Sequence, residues 1–319
     1  MMENAPIALF VYNRPQHTLN LLNSLAKNKE AANSILFVFS DGAKPGSSDN
    51  DLEKINKVRE IIDRENRFKE VIIKNSIQNL GLANSIIQGV TSVLNRYDSI
   101  IVLEDDLIVS PYFLSFMNDS LIKYCDNIKV GQIGACNFFA CGKKYPETFF
   151  LPIPDCLGWA TWKNRWGLFN SDAVELLRLL KLDQNRMFNF NANGAYNFQG
   201  MLEDQIEKKV DSWAIRWQAT CILNDLLILY PNPSLTNHIA SLQATHANVN
   251  ITPPLANVKL KNLEIDTEVK KRVLKAMIRG YSNSGNYFGT VKIEFFRKKI
   301  RRILIDYPIS LIKNLIGKK

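Results

Sequence analysis

The chain lacks the features that membrane-spanning, disulfide-rich and zinc-binding proteins require. No apolar run in its 319 residues reaches the ~20 residues of a membrane span, and the N-terminus lacks a basic stretch followed by an apolar one. We therefore expect a cytoplasmic protein. The cysteines are odd in number and show no CxxC spacing, which predicts reduced thiols rather than disulfides or a zinc site (Cys125, Cys136, Cys141, Cys156 and Cys221).

Several catalytic signatures are missing as well. No GxGxxG follows the first predicted strand and no GxxxxGK[ST] occurs, which argues against Rossmann dehydrogenases and P-loop NTPases. The absence of HExxH and GxSxG argues against zinc proteases and α/β-hydrolases. A ligand of this protein must be recognised by other means.

Net positive charge is low outside the C-terminal tail. The formal net charge is +9, but residues 292–319 hold nine basic and two acidic residues. A general nucleic-acid-binding surface is therefore not expected. The tail places Ile293, Phe296, Ile300 and Ile303 on one helical face with basic residues opposite. This pattern favours a helix on an anionic inner-membrane surface, and the alternative is a terminal helix packed on the domain.

Strand-like and helix-like segments alternate four times in the first 125 residues. Short apolar runs predict strands at 7–12, 35–39, 71–73 and 100–103, and apolar residues at helical spacing follow each run. Such alternation predicts an α/β fold with a mostly parallel central sheet flanked by helices.

The second half is less regular. The aromatic-rich segment 152–166 is followed by an Asn-rich loop or flap at 189–197. We predict a helix over 212–223, a strand over 227–230 and a long ordered loop over 231–260.

Polar residues follow three of the predicted strands. They include Arg14 after the first, Asp41 after the second, and Glu104, Asp105 and Asp106 after the fourth. Because the carboxyl ends of parallel strands share one edge of a sheet, these groups should meet in one cleft. Three adjacent acids there suit Mg²⁺ or Mn²⁺, and the alternative is a solvated turn before a helix.

Two of these groups suit a nucleoside diphosphate. The guanidinium of Arg14 can hold a phosphate by charge-assisted hydrogen bonds, unless it is an ordinary surface arginine. Asp41 can accept a hydrogen bond from a base N–H, with Gly42 allowing close approach. The alternative for Asp41 is a turn aspartate.

Four segments occur in an order that resembles the nucleotide-binding half of GT-A fold glycosyltransferases: IALFVYNRP, FVFSDGAK, QNLGLANSIIQGV and IVLEDDLIVSPYFL. The resemblance is to bacterial family-2-like sugar transferases related to the N-acetylglucosaminyltransferase I family of N-glycan branching. LGWATWKNRW, DSWAIRW, YPNPSLTNHIA and ATH extend it, so that it covers about 5–255.

The resemblance implies a role for each candidate residue. Asp106 would be the metal ligand, with Glu104 and Asp105 near the sugar, the ribose or metal-bound waters. Asp41 would contact uracil, and Arg14 the nucleotide or phosphates. The catalytic base would be Asp211, with Asp204, Glu203 and Asp155 as alternatives. His246 would add a metal or diphosphate contact, or be a hydrogen-bonded loop histidine.

We therefore expect a metal-dependent, inverting glycosyltransferase that uses Mn²⁺ or Mg²⁺ and moves a sugar from a UDP-sugar to a glycan or lipid-linked acceptor. A peripheral position on the inner membrane would suit O-antigen, lipooligosaccharide or capsule assembly. Two alternatives stay open: a sugar-1-phosphate nucleotidyltransferase and a non-catalytic membrane-surface binding module. Trp159, Trp162 and Trp213 are candidates for stacking on sugar rings.

The domain prediction follows the resemblance. Residues 1–255 would form the glycosyltransferase domain, with a nucleotide-binding half at 1–125 and an acceptor half at 126–255. Residues 256–319 would form a C-terminal helical extension ending in the basic amphipathic tail.

Overall fold

The computed structural model describes residues 3–137, 139, 142–239 and 267–284. His246 and the basic tail 292–319 lie outside these residues. The strands are β1 Ile7–Val11, β2 Ile35–Ser40, β3 Glu70–Asn75, β4 Ser99–Glu104, β5 Leu107–Val109, β6 Val130–Gly134, β7 Thr148–Leu151, β8 Trp159–Trp162, β9 Leu227–Pro231 and β10 Thr236–His238. The helices are α1 Pro15–Leu25, α2 Asp49–Asp63, α3 Leu82–Leu94, α4 Phe113–Lys123, α5 Lys163–Trp166, α6 Ala173–Leu182, α7 Gln184–Phe190, α8 Phe198–Ile206, α9 Trp213–Leu223 and α10 Thr267–Ser284.

Eight strands form one mixed sheet in the order β3-β2-β1-β4-β8-β6-β9-β7. The first four are mutually parallel, and β6 pairs in parallel with β9, whereas β8 and β7 pair antiparallel with their neighbours. Six of the eight strands thus run in one direction. The predicted α/β fold with a mostly parallel central sheet and flanking helices is confirmed.

Alternating side chains along the strands divide the core between the two faces of the sheet. In β1, Ala8 and Phe10 belong to one apolar cluster, whereas Ile7, Leu9 and Val11 belong to the other. The first cluster is covered by α3, α6, α9 and α10, and the second by α1, α2 and α4. A sheet buried on both faces explains why its central strands are apolar throughout.

The first-half helices begin where their sequences indicate. Pro15 is the first residue of α1, where its missing N–H costs nothing. The Ser48 hydroxyl accepts a hydrogen bond from the Asp51 amide at 3.2 Å and caps α2. Gly81 has φ +75 at the start of α3, a conformation that glycine adopts without strain. Helix α4 begins at Phe113, slightly later than Ser110 and Pro111 indicate.

The second half contains more regular structure than its sequence suggests. The segment 168–210, for which the sequence predicts only a loop or flap at 189–197, contains α6, α7 and α8. Leu176, Leu180 and Leu202 of these helices are fully or almost fully buried. Part of the loop predicted over 231–260 is the strand β10, which pairs antiparallel with β5. The predicted helix over 212–223 and strand over 227–230 are confirmed as α9 and β9.

The tryptophans proposed to stack on sugar rings are core residues. Trp159, Trp162 and Trp213 are only 0%, 5% and 4% exposed. Trp159 and Trp213 stack on each other with ring centroids 5.0 Å apart. Their ring faces are therefore used within the protein.

Helix α10 packs on the same body as the strands and helices before it. Its residues Val273, Ala276 and Met277 are buried in the core cluster that contains β1 and α9 side chains. None of the helices within the described ranges is long and apolar enough to cross a bilayer.

Candidate active site

The acidic triplet lies beside the end of β1. Strands β1 and β4 are parallel neighbours, with Phe10 paired to Glu104, so the segments leaving both strands emerge together. Arg14, the N-cap of α1, therefore reaches the triplet. Its Nη1 donates to Asp106 Oδ2 at 2.8 Å and to Asp105 Oδ1 at 3.3 Å. The structure thus brings Arg14 together with Asp105 and Asp106, whereas the predicted approach of Asp41 to these groups stays a prediction.

His238 reaches the triplet from the C-terminal half of the chain. Strand β10 pairs with β5, and His238 lies opposite Leu107, the residue after Asp106. This pairing brings His238 Nε2 to 3.3 Å from Asp106 Oδ2. Asp106 is thus held between Arg14 and His238. His238 belongs to the YPNPSLTNHIA segment, whose sequence gives no sign of this contact.

The three acids have different protonation behaviour. Burial raises the pKa of Glu104 to about 8, and the charges of Asp106 and Asp105 add to this effect. Burial also raises the pKa of Asp105 to about 7 against the opposing charge of Arg14. Burial acts to raise the pKa of Asp106 too, but His238 and Arg14 outweigh it and the pKa is lowered. Of the three acids, Asp106 is therefore the one that ionises at the lowest pH.

A second histidine lies near the same charges. His17 is in the first turn of α1, and its Nε2 is buried without a hydrogen-bond partner. Burial lowers the pKa of His17, and the positive charge of Arg14 lowers it further. His17 therefore carries a proton less readily than an ordinary histidine.

Asp41 organises the loop that leads into α3. Its Oδ1 accepts hydrogen bonds from the amides of Gly42 and Leu80, both at 2.8 Å. Its Oδ2 accepts from the Gly81 amide and the Asn79 side-chain amide, both at 3.0 Å. Four protein donors thus share one carboxylate, which supports the turn-aspartate interpretation, and a contact from Asp41 to a nucleobase stays a prediction.

Gly42 has a clear steric reason to be glycine. A Cβ atom at this position would lie 2.6 Å from the carbonyl carbon of Gln78. That distance is shorter than non-bonded atoms tolerate, so the loop after β2 and the loop after β3 pack in direct backbone contact.

Asp211, the candidate base, precedes α9. Its Oδ1 accepts a hydrogen bond from Arg216 Nη2 at 2.9 Å, and its side chain is 53% exposed. Trp213, two residues later, stacks on Trp159, which pairs with Val102 of β4. The position of Asp211 relative to a bound acceptor stays a prediction.

Asp155 is the most enclosed of the alternative bases. It accepts hydrogen bonds from the Cys136 and Leu157 amides, both at 3.2 Å. Burial raises the pKa of Asp155 to about 7, and its charge in turn raises the pKa of Glu104. The other two alternatives pair with lysines on the surface, Glu203 with Lys181 and Asp204 with Lys209.

The side chains around Asp106 suit a metal ion that takes only part of its coordination shell from the protein. Among the described residues, no group of three His, Cys, Asp or Glu side chains is arranged to hold a metal ion. Mg²⁺ is commonly held by one or two carboxylates, with phosphate oxygens and water completing its shell. Asp106 fits that pattern, and the adjacent His238 could supply a nitrogen. His246, the predicted additional ligand, lies outside the described residues.

Comparisons with known proteins give structural neighbours at low similarity. No protein-family profile and no curated protein sequence matches the chain. Among solved structures, the mannosyltransferase PcManGT from Pyrobaculum calidifontis, in complex with GDP-Man and Mn²⁺, is 13% identical with a TM-score of 0.37, covering 53% of this chain and 48% of that one. TarS from S. aureus is 14% identical with a TM-score of 0.39, covering 91% and 46%. This chain spans about half the length of each, and similarity at this level does not identify its substrates.

Proposed function

We propose that this protein is a metal-dependent, inverting glycosyltransferase that uses a nucleoside-diphosphate sugar, with UDP as the nucleotide. The observation that carries the proposal is the position of Asp106 between Arg14 and His238, where β1 and β4 end. At this edge of a parallel sheet, the carboxylate can bind the metal and the guanidinium can bind the phosphates of a metal–diphosphate ligand. The resemblance of the first 125 residues supports the same assignment.

The chain's own residues have distinct tasks in the proposed reaction. When bound at Asp106, Mn²⁺ or Mg²⁺ would supply Lewis-acid stabilisation of the leaving diphosphate. Arg14 would bind the diphosphate and stabilise the charge that develops on it. Asp211 would accept the proton of the acceptor hydroxyl as that oxygen attacks the anomeric carbon. Arg216 orients Asp211 for this role through their 2.9 Å contact.

A transfer assay with labelled UDP-sugars and glycan acceptors tests the proposed base. We expect Asp211→Asn to keep donor binding and to lose transfer, because the amide cannot accept the proton. Asp225→Asn is a matched control, since Asp225 also pairs with an arginine, Arg186, but on the exposed surface. If Asp211→Asn transfers sugar normally, the base lies elsewhere, and Asp155 becomes the first alternative because of its enclosed position near Glu104.

The product distinguishes the proposed reaction from nucleotidyl transfer. A glycosyltransferase releases a nucleoside diphosphate from the nucleotide sugar. A sugar-1-phosphate nucleotidyltransferase instead forms pyrophosphate from a nucleoside triphosphate. Pyrophosphate formation with a sugar-1-phosphate would therefore overturn the proposal.

We further propose a lipid-linked acceptor at the inner membrane, in cell-surface polysaccharide assembly. The support is the basic, amphipathic sequence of 292–319. Deleting this segment should release the protein from vesicles that contain anionic lipid while leaving transfer to a water-soluble acceptor intact. If the full-length protein transfers no sugar to any acceptor and binds vesicles only through this segment, the membrane-binding module is favoured instead. Unchanged vesicle binding after the deletion would contradict the proposed role of the tail.

A further inference from the structure

The guanidinium of Arg14 supplies a positive charge at the acidic triplet. Arg14 Nη1 contacts Asp106 Oδ2 at 2.8 Å and Asp105 Oδ1 at 3.3 Å. The two carboxylates are mostly buried, with side-chain exposures of 15% and 8%, and the Arg14 side chain is 27% exposed. Burial acts to lower the pKa of Arg14, but the two acids outweigh it and the pKa is raised. Arg14 therefore pairs with Asp106, the acid that is proposed to bind a metal, and with its neighbour Asp105.

A divalent cation and the guanidinium would compete at this position. Asp106 Oδ2 already accepts the hydrogen bond from Arg14 and lies 3.3 Å from His238. A metal ligated by this carboxylate would stand close to the positive charge of Arg14, and the two cations would repel each other in a poorly solvated cleft. Metal binding at Asp106 thus requires Arg14 to move away or to gain an anionic partner.

We propose that Arg14 is a displaceable counter-ion, which makes metal binding at Asp106 depend on the nucleotide diphosphate. This inference rests on the proposed function of the site. Arg14 is the N-cap of α1, so its side chain starts beside the positive end of a helix, where a diphosphate is electrostatically favoured. Its planar fork pairs with carboxylate or phosphate oxygens alike. Without nucleotide, Arg14 holds the acids, and with nucleotide it turns to the diphosphate and leaves Asp106 to the metal.

Loss of the Arg14 guanidinium should change two affinities in opposite directions. Arg14→Gln should bind Mn²⁺ alone more tightly than wild type, by about tenfold, because a charge-assisted hydrogen bond no longer competes for Asp106. The same variant should bind UDP in saturating Mn²⁺ more weakly, by about tenfold or more, because a phosphate contact is lost. Arg14→Lys keeps the charge but not the fork and should lie between the two for Mn²⁺ alone.

Electron paramagnetic resonance of free Mn²⁺ measures the first affinity on the full chain, and calorimetry with UDP and with GDP measures the second. Lys44→Gln is the matched control for general electrostatics. Lys44 lies 6.0 Å from the ring centroid of Tyr12, near the end of β1, and makes no ion pair with the three acids within the described part of the chain. Circular dichroism verifies that each variant is folded.

Tighter Mn²⁺ binding in Arg14→Gln and an unchanged affinity in Lys44→Gln would support the inference. An unchanged or weaker affinity in Arg14→Gln, or an equal gain in both variants, would overturn it while leaving the proposed function intact. If wild type and variants bind no Mn²⁺ even with UDP or GDP, the proposed metal–diphosphate site and this inference both fall.

Discussion

Replacing Glu104 by glutamine should make the protein more resistant to alkaline pH. Burial raises the pKa of Glu104 from 4.5 to about 8, with help from Asp106 and Asp105. The unfolded chain loses this proton near its ordinary pKa, whereas the folded protein keeps it up to about pH 8. In that window the folded state binds more protons, so the free energy of unfolding contributed by Glu104 falls as the pH rises.

The structure sets the size of the effect. At 1.36 kcal/mol per pH unit, the raised pKa of Glu104 corresponds to a loss of roughly 2–4 kcal/mol between pH 5 and pH 9. We expect a loss near the lower end of this range. Part of the shift comes from the repulsion between Glu104 and Asp105, and this repulsion is weaker while Asp105, whose pKa is raised to about 7, is protonated. Glutamine has a similar shape and never ionises, so Glu104→Gln should remove most of this loss.

Urea unfolding from pH 5 to pH 9 in the presence of a chelator measures the effect through tryptophan fluorescence. The free energy of unfolding should fall less steeply with pH in Glu104→Gln than in wild type. Glu53→Gln is the control, because Glu53 is an exposed residue of α2 that pairs with Lys57. An unchanged slope in Glu104→Gln, or lower stability than wild type at pH 9, would refute the electrostatic account of the triplet.

Three further substitutions test the surroundings of the site. Asp41→Ala should reduce the free energy of unfolding by about 1–3 kcal/mol in urea, because the partly buried amides of Leu80 and Gly81 lose their acceptor; unchanged stability would contradict this. Gly42→Ala should cost about 1–3 kcal/mol in the same assay and weaken UDP binding by calorimetry, because its Cβ would meet Gln78 at 2.6 Å; wild-type values for both would exclude the tight loop contact. His238→Ala should raise the pKa of Asp106, since His238 lowers it, and Mn²⁺ binding with UDP should then be lost at a higher pH as the solution is acidified; an unchanged pH profile would argue against the contact.

The first half of the fold was predictable because local and global signals agree there. Each strand is a short apolar run, and each helix that follows has apolar residues at helical spacing, so β1 to α3 could be placed to within a few residues. The convergence of Arg14 with the acidic triplet followed from the parallel order of β1 and β4. Its actual form, a guanidinium bound directly to two of the acids, depends on side-chain conformations that the pattern does not encode.

The second half was harder because its contacts are distant in sequence. β6 contains two glycines in five residues, and β10 is three residues long, so neither has a strong strand pattern. His238 reaches Asp106 only because β10 pairs with β5, more than 120 residues away. A histidine after a proline-rich segment carries no local sign of such a partner. The tryptophans likewise offered no sign that they stack on one another rather than on a ligand.

The central claim is that Asp106 anchors a metal–diphosphate site for a nucleotide sugar. Calorimetry with a panel of UDP- and GDP-sugars, in Mn²⁺ and in chelator, tests it on wild type, Asp106→Ala and the control Asp119→Ala on the exposed side of α4. The account predicts that wild type and Asp119→Ala bind at least one nucleotide sugar only when Mn²⁺ is present, and that Asp106→Ala binds none. Equal binding in chelator, or normal metal-dependent binding by Asp106→Ala, would contradict it.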